Sequence, residues 1–206
     1  MNNKIHPLAF VDESVKLGSN NIIGPYCYIT GDTTIGDNNL FQSHCVIGTP
    51  AEHRDYMRDE PGKTTIGNNN IFREFTTVHA GSSAETILLD YIVMLRGSHI
   101  GHDSYVGNKV NLSCNTLIGG HSHIMDGANF GLGSICHQFS IIGAYSMIGM
   151  GSVITKTSRI EPGKIYVGSP AKFLKENSVG LQRNGITEND LLDLMFMFNS
   201  LHQKRN

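Results

Sequence analysis

A period of six runs through most of this chain and rules out nearly every other reading of it. An apolar residue recurs at Val11, Leu17, Ile23, Ile29, Ile35, Phe41 and Ile47, and again at Ile66, Phe72 and Val78. A third run holds Leu88, Met94, Ile100, Val106, Leu112, Ile118, Ile124, Phe130, Cys136, Ile142, Ile148 and Ile154. Four residues after many of these stands a small one, among them Cys27, Thr33, Cys45, Ser104, Thr116, Ser122, Ala128, Ser134, Ser140, Ser146 and Ser152. Glycine often follows the apolar residue directly, as at Gly18, Gly36, Gly101, Gly119 and Gly143. Neither the 3.6 period of a helix nor the alternation of a two-faced strand gives six. A hexapeptide of one short strand and one turn does, three of them closing a triangular coil that stacks on the next. The apolar side chain then points inward, the small one fits beside the corner, and the glycine is expected to relieve the tight turn. Coils stack at the inter-strand spacing of about 4.8 Å, so residues eighteen apart lie one above another.

This is the hexapeptide-repeat signature of the left-handed parallel β-helix, an all-β solenoid. Its hand comes from that resemblance, since crossovers are otherwise right-handed. The frame breaks at 49–65, which carries His53 among several charges, and at 79–86, "HAGSSAET". Both segments must leave the coil as loops, and a loop on a solenoid is either a tolerated insertion or a binding edge. The expected organisation is a β-helix over 1–160 and a C-terminal extension over 161–206 that ends in one short amphipathic helix. Thr187 with Asp190 three residues on reads as its cap. Leu191, Leu194 or Met195, Phe198 and Leu201 follow at helical spacing, for packing on the solenoid or on a neighbouring subunit, and His202, Lys204 and Arg205 suit a last turn.

A net charge of -2 supplies no basic field, which argues against nucleic acid as a partner. The N-terminus has no apolar signal region and no run of eighteen apolar residues occurs, so a cytoplasmic protein without stable membrane insertion is expected. The cysteines Cys27, Cys45, Cys114 and Cys136 form no C-x-x-C pair and read as small reduced core residues.

The chemistry concentrates in histidines. His99, His102, His121, His123 and His137 fall within about two coils, off the inward positions. One outward histidine is ordinary surface, whereas a band of five marks a candidate site. His102 is suited to remove a proton from a hydroxyl or amine, and Asp103 to fix its tautomer. Gly120, eighteen residues beyond His102, stacks on it, and its N–H could donate to an oxyanion developing on an attacked acyl carbonyl. With no serine or cysteine nucleophile in such a setting, direct acyl transfer fits better than a covalent intermediate. A triangular prism also suits threefold association with clefts between subunits.

The motifs "SHIGHDSYVGN", "IGGHS", "HQFSIIGAYSMIG" and "NSVGLQRNG", in this order and spacing, resemble the acyl carrier protein-dependent UDP-N-acetylglucosamine 3-O-acyltransferase family, which carries out the first step of lipid A synthesis. The similarity runs from "IHPLAFV" to "LQRNG". It implies His102 as general base, Asp103 as its orienting partner and the Gly120 amide as oxyanion donor. His99, His121, His137 and Gln138 match positions that contact the sugar nucleotide or the acyl phosphopantetheine. Asn177 and Arg183 match positions near the uridine diphosphate, and Met150 the floor of the acyl groove, where a larger side chain goes with shorter chains. The family implies acyl carrier protein and a UDP-sugar as partners, a homotrimer, and no cofactor beyond the phosphopantetheine that carries the acyl group.

The chain also departs from the family. An acidic residue is usual where Val179 stands and a second basic one where Asn184 stands, and about one N-terminal coil and several C-terminal helices of typical members have no counterpart here. No role is carried over to Arg54, Asp55 or Arg58, where the alignment slips by a residue. A paralogue acting on a modified nucleotide sugar therefore stays open, with hydroxyl or amine as acceptor. Two readings from other classes also stay open. One is a zinc lyase resembling the γ-class carbonic anhydrases, with histidines as ligands between subunits, although the expected metal content is none. The other is a noncatalytic β-helix scaffold.

Overall fold

The inward series closes into three parallel sheets. The computed structural model describes residues 2–54 and 62–204. Each coil contributes one strand to each sheet, usually of two residues, and among the described residues the sheets hold ten, eight and seven strands. We call them the first, second and third sheet, in the order the chain visits them. The architecture is the left-handed parallel β-helix. Residues eighteen apart pair in register along the uninterrupted coils, for example His99 with Leu117 and Leu117 with Ile135. Leu40 pairs with Ile71 and Thr77 with His99, so the first insertion adds thirteen residues to a coil and the second adds four. Both leave from the same corner, between the second and third sheets, after Val46–Thr49 and after Thr77–His79. Part of the first loop, with Asp55 and Arg58, lies outside the described residues.

From Ile23 onward the repeated apolar residues are buried in one continuous core, with Phe41 stacked on Phe72 at 4.6 Å between ring centroids. Val11 and Leu17, at the N-terminal end of the solenoid, are only half-buried. The small residues four places on are buried as well. At the corner after the third sheet a ladder of Asn3, Asn21, Asn39 and Asn70 repeats one device: each side-chain oxygen accepts a backbone N–H from the coil above, at 2.7–2.9 Å. Turn amides that no strand could pair are satisfied in this way.

The glycine expectation needs correction. Gly18, Gly36, Gly101 and Gly119 do not relieve a turn; they let the next coil approach, since a Cβ at Gly101 would stand 2.6 Å from the Gly120 nitrogen. The left-handed backbone falls two residues further on, at the third residue of each turn, and is mostly not glycine: Asn20, Tyr26, His44, Asp103, His121 and Phe139 all have φ between 56° and 63°. Side chains held in this region project from the corners, which places Asp103 and His121 side by side next to His102.

The solenoid continues past 160. Ile160 and Tyr166 keep the period, Tyr166 pairs with Ile148, and the strand Lys164–Val167 closes the first sheet's parallel run. The chain then turns back as an antiparallel strand, Lys172–Glu176, and forms two helices, α1 (Ser178–Arg183) and α2 (Glu188–Gln203). One terminal helix was expected; "NSVGLQRNG" forms the other, with Asn177 as its cap. In α2 the Thr187–Asp190 capping box is complete, and Phe198 is buried against Met125, Ile141 and Ala144 of the same chain. Cys27, Cys45 and Cys136 are buried and unpaired, as core residues should be, whereas Cys114 is half-exposed.

Candidate active site

The corner between the second and third sheets carries one turn per coil, and the eighteen-residue repeat stacks equivalent turn positions. His102, Gly120, Gln138 and Lys156 form one column; Asp103, His121 and Phe139 form the next. His102 points away from the core, yet it is only 6% exposed. Its outward placement holds, but an exposed imidazole does not follow, because both insertions fold over this corner. The His53 ring stands edge-on to His102 at 5.9 Å, His121 at 5.0 Å, and the loop after His79 covers Asp103.

His102 Nδ1 lies 2.5 Å from Asp103 Oδ2. The other carboxylate oxygen, Oδ1, accepts the N–H groups of Ser82, Ser83 and Ala84 at 2.9, 2.9 and 2.6 Å, and the Ser82 hydroxyl donates to Oδ2 at 2.6 Å. Burial alone would raise the Asp103 carboxyl, but hydrogen bonds from His102, Ser82, Ala84 and Ser83 overcome it and hold the group well below the ordinary carboxylate range. Asp103 is thus a fixed anion that keeps the His102 proton on Nδ1, leaving Nε2 as the basic atom. Nε2 faces Gly120: a Cβ there would stand 2.8 Å from it. The Gly120 carbonyl accepts from Phe139 N–H at 2.9 Å, while its own N–H has no backbone acceptor among the described residues. The His102 imidazole thus lies directly against the Gly120 backbone.

His121 stacks on Phe139 at 4.4 Å, with Nε2 3.5 Å from Asp103 Oδ2. Above it a cleft of about 680 Å³ is lined by His121, His137, Gln138, Lys156, Ser158 and His202 among others. His99 lies on the outer face of the second sheet. Thr77 Oγ1 is 2.7 Å from its Nδ1, and the His79 ring is edge-on at 5.2 Å. Burial drives His99 down to about 4, with His79 adding to the effect, so it is neutral at physiological pH. Burial lowers His79 too, against the pull of Glu52, whose carboxylate is 3.7 Å away.

The expected site residues do not all meet in one chain. His102, Asp103, Gly120, His121, His137 and Gln138 share the corner, with His99 beside it. His123 does not: it stacks on Tyr105 at 4.5 Å, next to α2. Met150 sits on the corner between the first and second sheets, 73% exposed. Asn177 and Arg183 belong to α1, near the third corner, where Asn177 donates to Tyr145 O and accepts from Gly180 N–H. Sequence reading missed the Ser82–Ala84 segment, His79, Lys156 and His202. Lys156 could have been found by extending the His102 column by eighteen residues twice beyond Gly120. The loop and helix contacts had no such signal.

One ligand atom each from His102, Asp103 and His121 lies within 4.8 Å of the others, a spacing a metal ion could bridge. Asp103 does not fit that role. Its two oxygens already accept four hydrogen bonds from the loop and face His102, which fills the acceptor capacity of a carboxylate.

A solenoid of this kind, with an Asp-held histidine at its corner, is a hexapeptide-repeat protein, and residues 14–49 match the family described as bacterial transferase hexapeptide (six repeats). The LpxA structure of Acinetobacter baumannii is 32% identical with a TM-score of 0.77, the match covering 93% of this chain and 81% of that one. The UDP-N-acetylglucosamine acyltransferase of Campylobacter jejuni gives 28% identity and a TM-score of 0.80, over 95% and 83%. In Pseudomonas savastanoi pv. phaseolicola, acyl-(acyl-carrier-protein)–UDP-N-acetylglucosamine O-acyltransferase is 37% identical over 136 residues, 64% of this chain and 52% of that protein. The chain belongs to the UDP-N-acetylglucosamine acyltransferase (LpxA) family. It spans about half the length of the curated relatives it matches.

Proposed function

We propose that the protein transfers a 3-hydroxyacyl group from acyl carrier protein to the 3-position of UDP-N-acetylglucosamine. The observation that carries this reading is the His102 imidazole, pinned through Nδ1 by Asp103 with Nε2 turned to the Gly120 backbone. Nε2 takes the proton of the acceptor hydroxyl as its oxygen attacks the thioester carbonyl carbon. The carbonyl oxygen becomes an oxyanion that accepts the Gly120 N–H. Collapse breaks the C–S bond, and the imidazolium returns its proton to the departing phosphopantetheine thiolate, so no covalent enzyme intermediate and no cofactor enters the cycle. Asp103 stabilises the imidazolium without being protonated.

Met150, the His102 corner and α1 occupy three different corners of one prism. A threefold assembly, which sets one subunit's corner against another's, would bring such separated residues into a common cleft, and this supports a homotrimer. Lys156, at the cleft with His121 and His137, offers a cation to a phosphate of the donor or the nucleotide. No described helix is long and apolar enough to cross a membrane, and a cytoplasmic location is part of the same proposal.

A second acceptor is favoured by one observation. Val179 is exposed on α1 where the family has an acidic residue, and Asn184 spends its side-chain amide on Gly180 O. These changes suit a different nucleotide-linked amino sugar. Incubation with a panel of 3-hydroxyacyl carrier proteins and UDP-N-acetylglucosamine, read by mass spectrometry beside His102→Ala, tests the proposal. Acylated sugar from the wild type and at least a thousandfold less from the variant is expected. No product with any chain, but product from the 3-amino analogue, would move the acceptor and keep the base.

A further inference from the structure

The loop at 79–86, which the repeat pattern marks only as a departure from the coil, holds Asp103 from the side opposite the core. We infer that Ser82–Ala84 is a positioning element for the catalytic pair: its three amides fix one oxygen of Asp103, and the Ser82 hydroxyl fixes the oxygen that faces His102. This rests on the acyltransferase reading above for its activity test, though not for its spectroscopic one.

Three successive N–H groups converging on one oxygen form an anion nest. The segment's own shape is enforced from both ends. A Cβ at Gly81 would stand 1.6 Å from Ala84 O, so only glycine permits so tight a curl before Ser82. Gly81 N–H donates to Lys63 O at 3.2 Å. At the far end Glu85 accepts from the Thr65 hydroxyl and pairs with Lys63 Nζ at 3.3 Å. The loop is therefore tied to the coil below, while its amides reach the coil above.

The division of labour at the carboxylate decides what each donor does. Oδ1, with three amides, is the anchor. Oδ2 is shared between the Ser82 hydroxyl and His102 Nδ1, with His121 Nε2 at 3.5 Å. Ser82 thus stops the carboxylate from rotating about its anchored oxygen, and it sets how much of the Oδ2 charge His102 meets. His102 also has His53 and His121 edge-on, with His79, His99 and Glu52 in the adjoining cluster. All of these stay in place when only the Ser82 hydroxyl is removed.

The test is Ser82→Ala, Ser82→Thr and Asp103→Ala in the full chain, with Ser82→Ala also combined with Asp103→Asn. Proton NMR of the Nδ1–H of His102 is the readout that needs no substrate. That resonance should move in Ser82→Ala, return in Ser82→Thr and vanish in Asp103→Ala. In turnover, Ser82→Ala should lower kcat about tenfold, the order of one charge-assisted hydrogen bond, with KM within about twofold. In the Asp103→Asn background the same change should cost less than about twofold, since coupled residues are not additive. An unmoved resonance in Ser82→Ala, or equal losses in both backgrounds, overturns the inference. A wild type with no turnover on any acceptor would overturn the acyltransferase reading instead, and the resonance would still decide this one.

Discussion

The imidazole of His102 rests on the α-carbon of Gly120: a methyl group placed there would stand 2.8 Å from Nε2 and 3.0 Å from Cδ2 and Cε1. The imidazole can lie against this backbone because residue 120 has no side chain. Gly120→Ala should tilt the imidazole away from its place over the backbone. A displacement near 1 Å costs on the order of a hundredfold in rate. Because Gly120 is not among the left-handed residues, the backbone tolerates alanine. We expect kcat to fall about a hundredfold with the melting temperature changed by only a few degrees, checked by steady-state kinetics beside thermal unfolding.

Most of the fold was legible because a solenoid repeats one rule. Every inward position from Ile23 to Ile154 reads directly as core, and continuing the count would have found Ile160 and Tyr166 as well. The site was legible only where it obeys the same count, as His102 and Gly120 do. The clamp on Asp103 was not, because Ser82–Ala84 leave the frame and reach Asp103 through backbone amides that carry no sequence signal. Burial was misjudged for the same reason: position two of a turn faces outward, but at His102 two insertions return to cover it. The glycines misled because a missing Cβ serves close coil stacking as readily as a left-handed turn, and here the turns are taken by residues such as Asp103 and His121.

Met150 projects from its corner into open space, and Gly131, eighteen residues below Gly149, comes so close to this turn that a Cβ would meet Met150 N at 2.7 Å. The backbone is therefore fixed and only the side chain can make room. On the proposed acyl transfer, Met150→Gly should admit a longer chain. At about 0.8 kcal/mol per buried methylene, two further methylenes should gain about tenfold in kcat/KM over the wild type. Competition between acyl carrier proteins of two chain lengths checks this. An unchanged preference would mean that another surface sets the length.

His99 and His79 couple stability to acid. Burial lowers both, His99 to about 4, so the unfolded chain takes up their protons first as the pH falls. The sign follows from linkage: stability rises with pH wherever the unfolded state binds more protons. The contribution is complete above about pH 6.5, the ordinary histidine value, and is lost progressively as the pH drops toward 4. Urea unfolding between pH 7 and 4 should show this loss, with a shallower slope for His99→Gln. A slope unchanged by that variant would assign the acid sensitivity to other groups.

Phe198 is the most buried of the α2 side chains that pack on the solenoid, with Leu194, Met195 and Leu201 beside it. Phe198 is fully buried against Met125, Ile141 and Ala144, with the Arg159 guanidinium 4.8 Å above its ring and the His202 ring 4.6 Å away. His202 in turn lines the cleft with His121 and His137. Truncating a buried phenylalanine costs about 3–5 kcal/mol, but here the residue holds a helix to the outside of a solenoid whose own core it does not enter. The loss should therefore be local. Phe198→Ala should release α2, seen as fast amide exchange over 188–203 while the coils stay protected. With the cleft opened, KM for the substrate that occupies it should rise at least tenfold and kcat should change far less, because the 79–86 loop holds Asp103 and coil-to-coil backbone bonds hold His102 and Gly120.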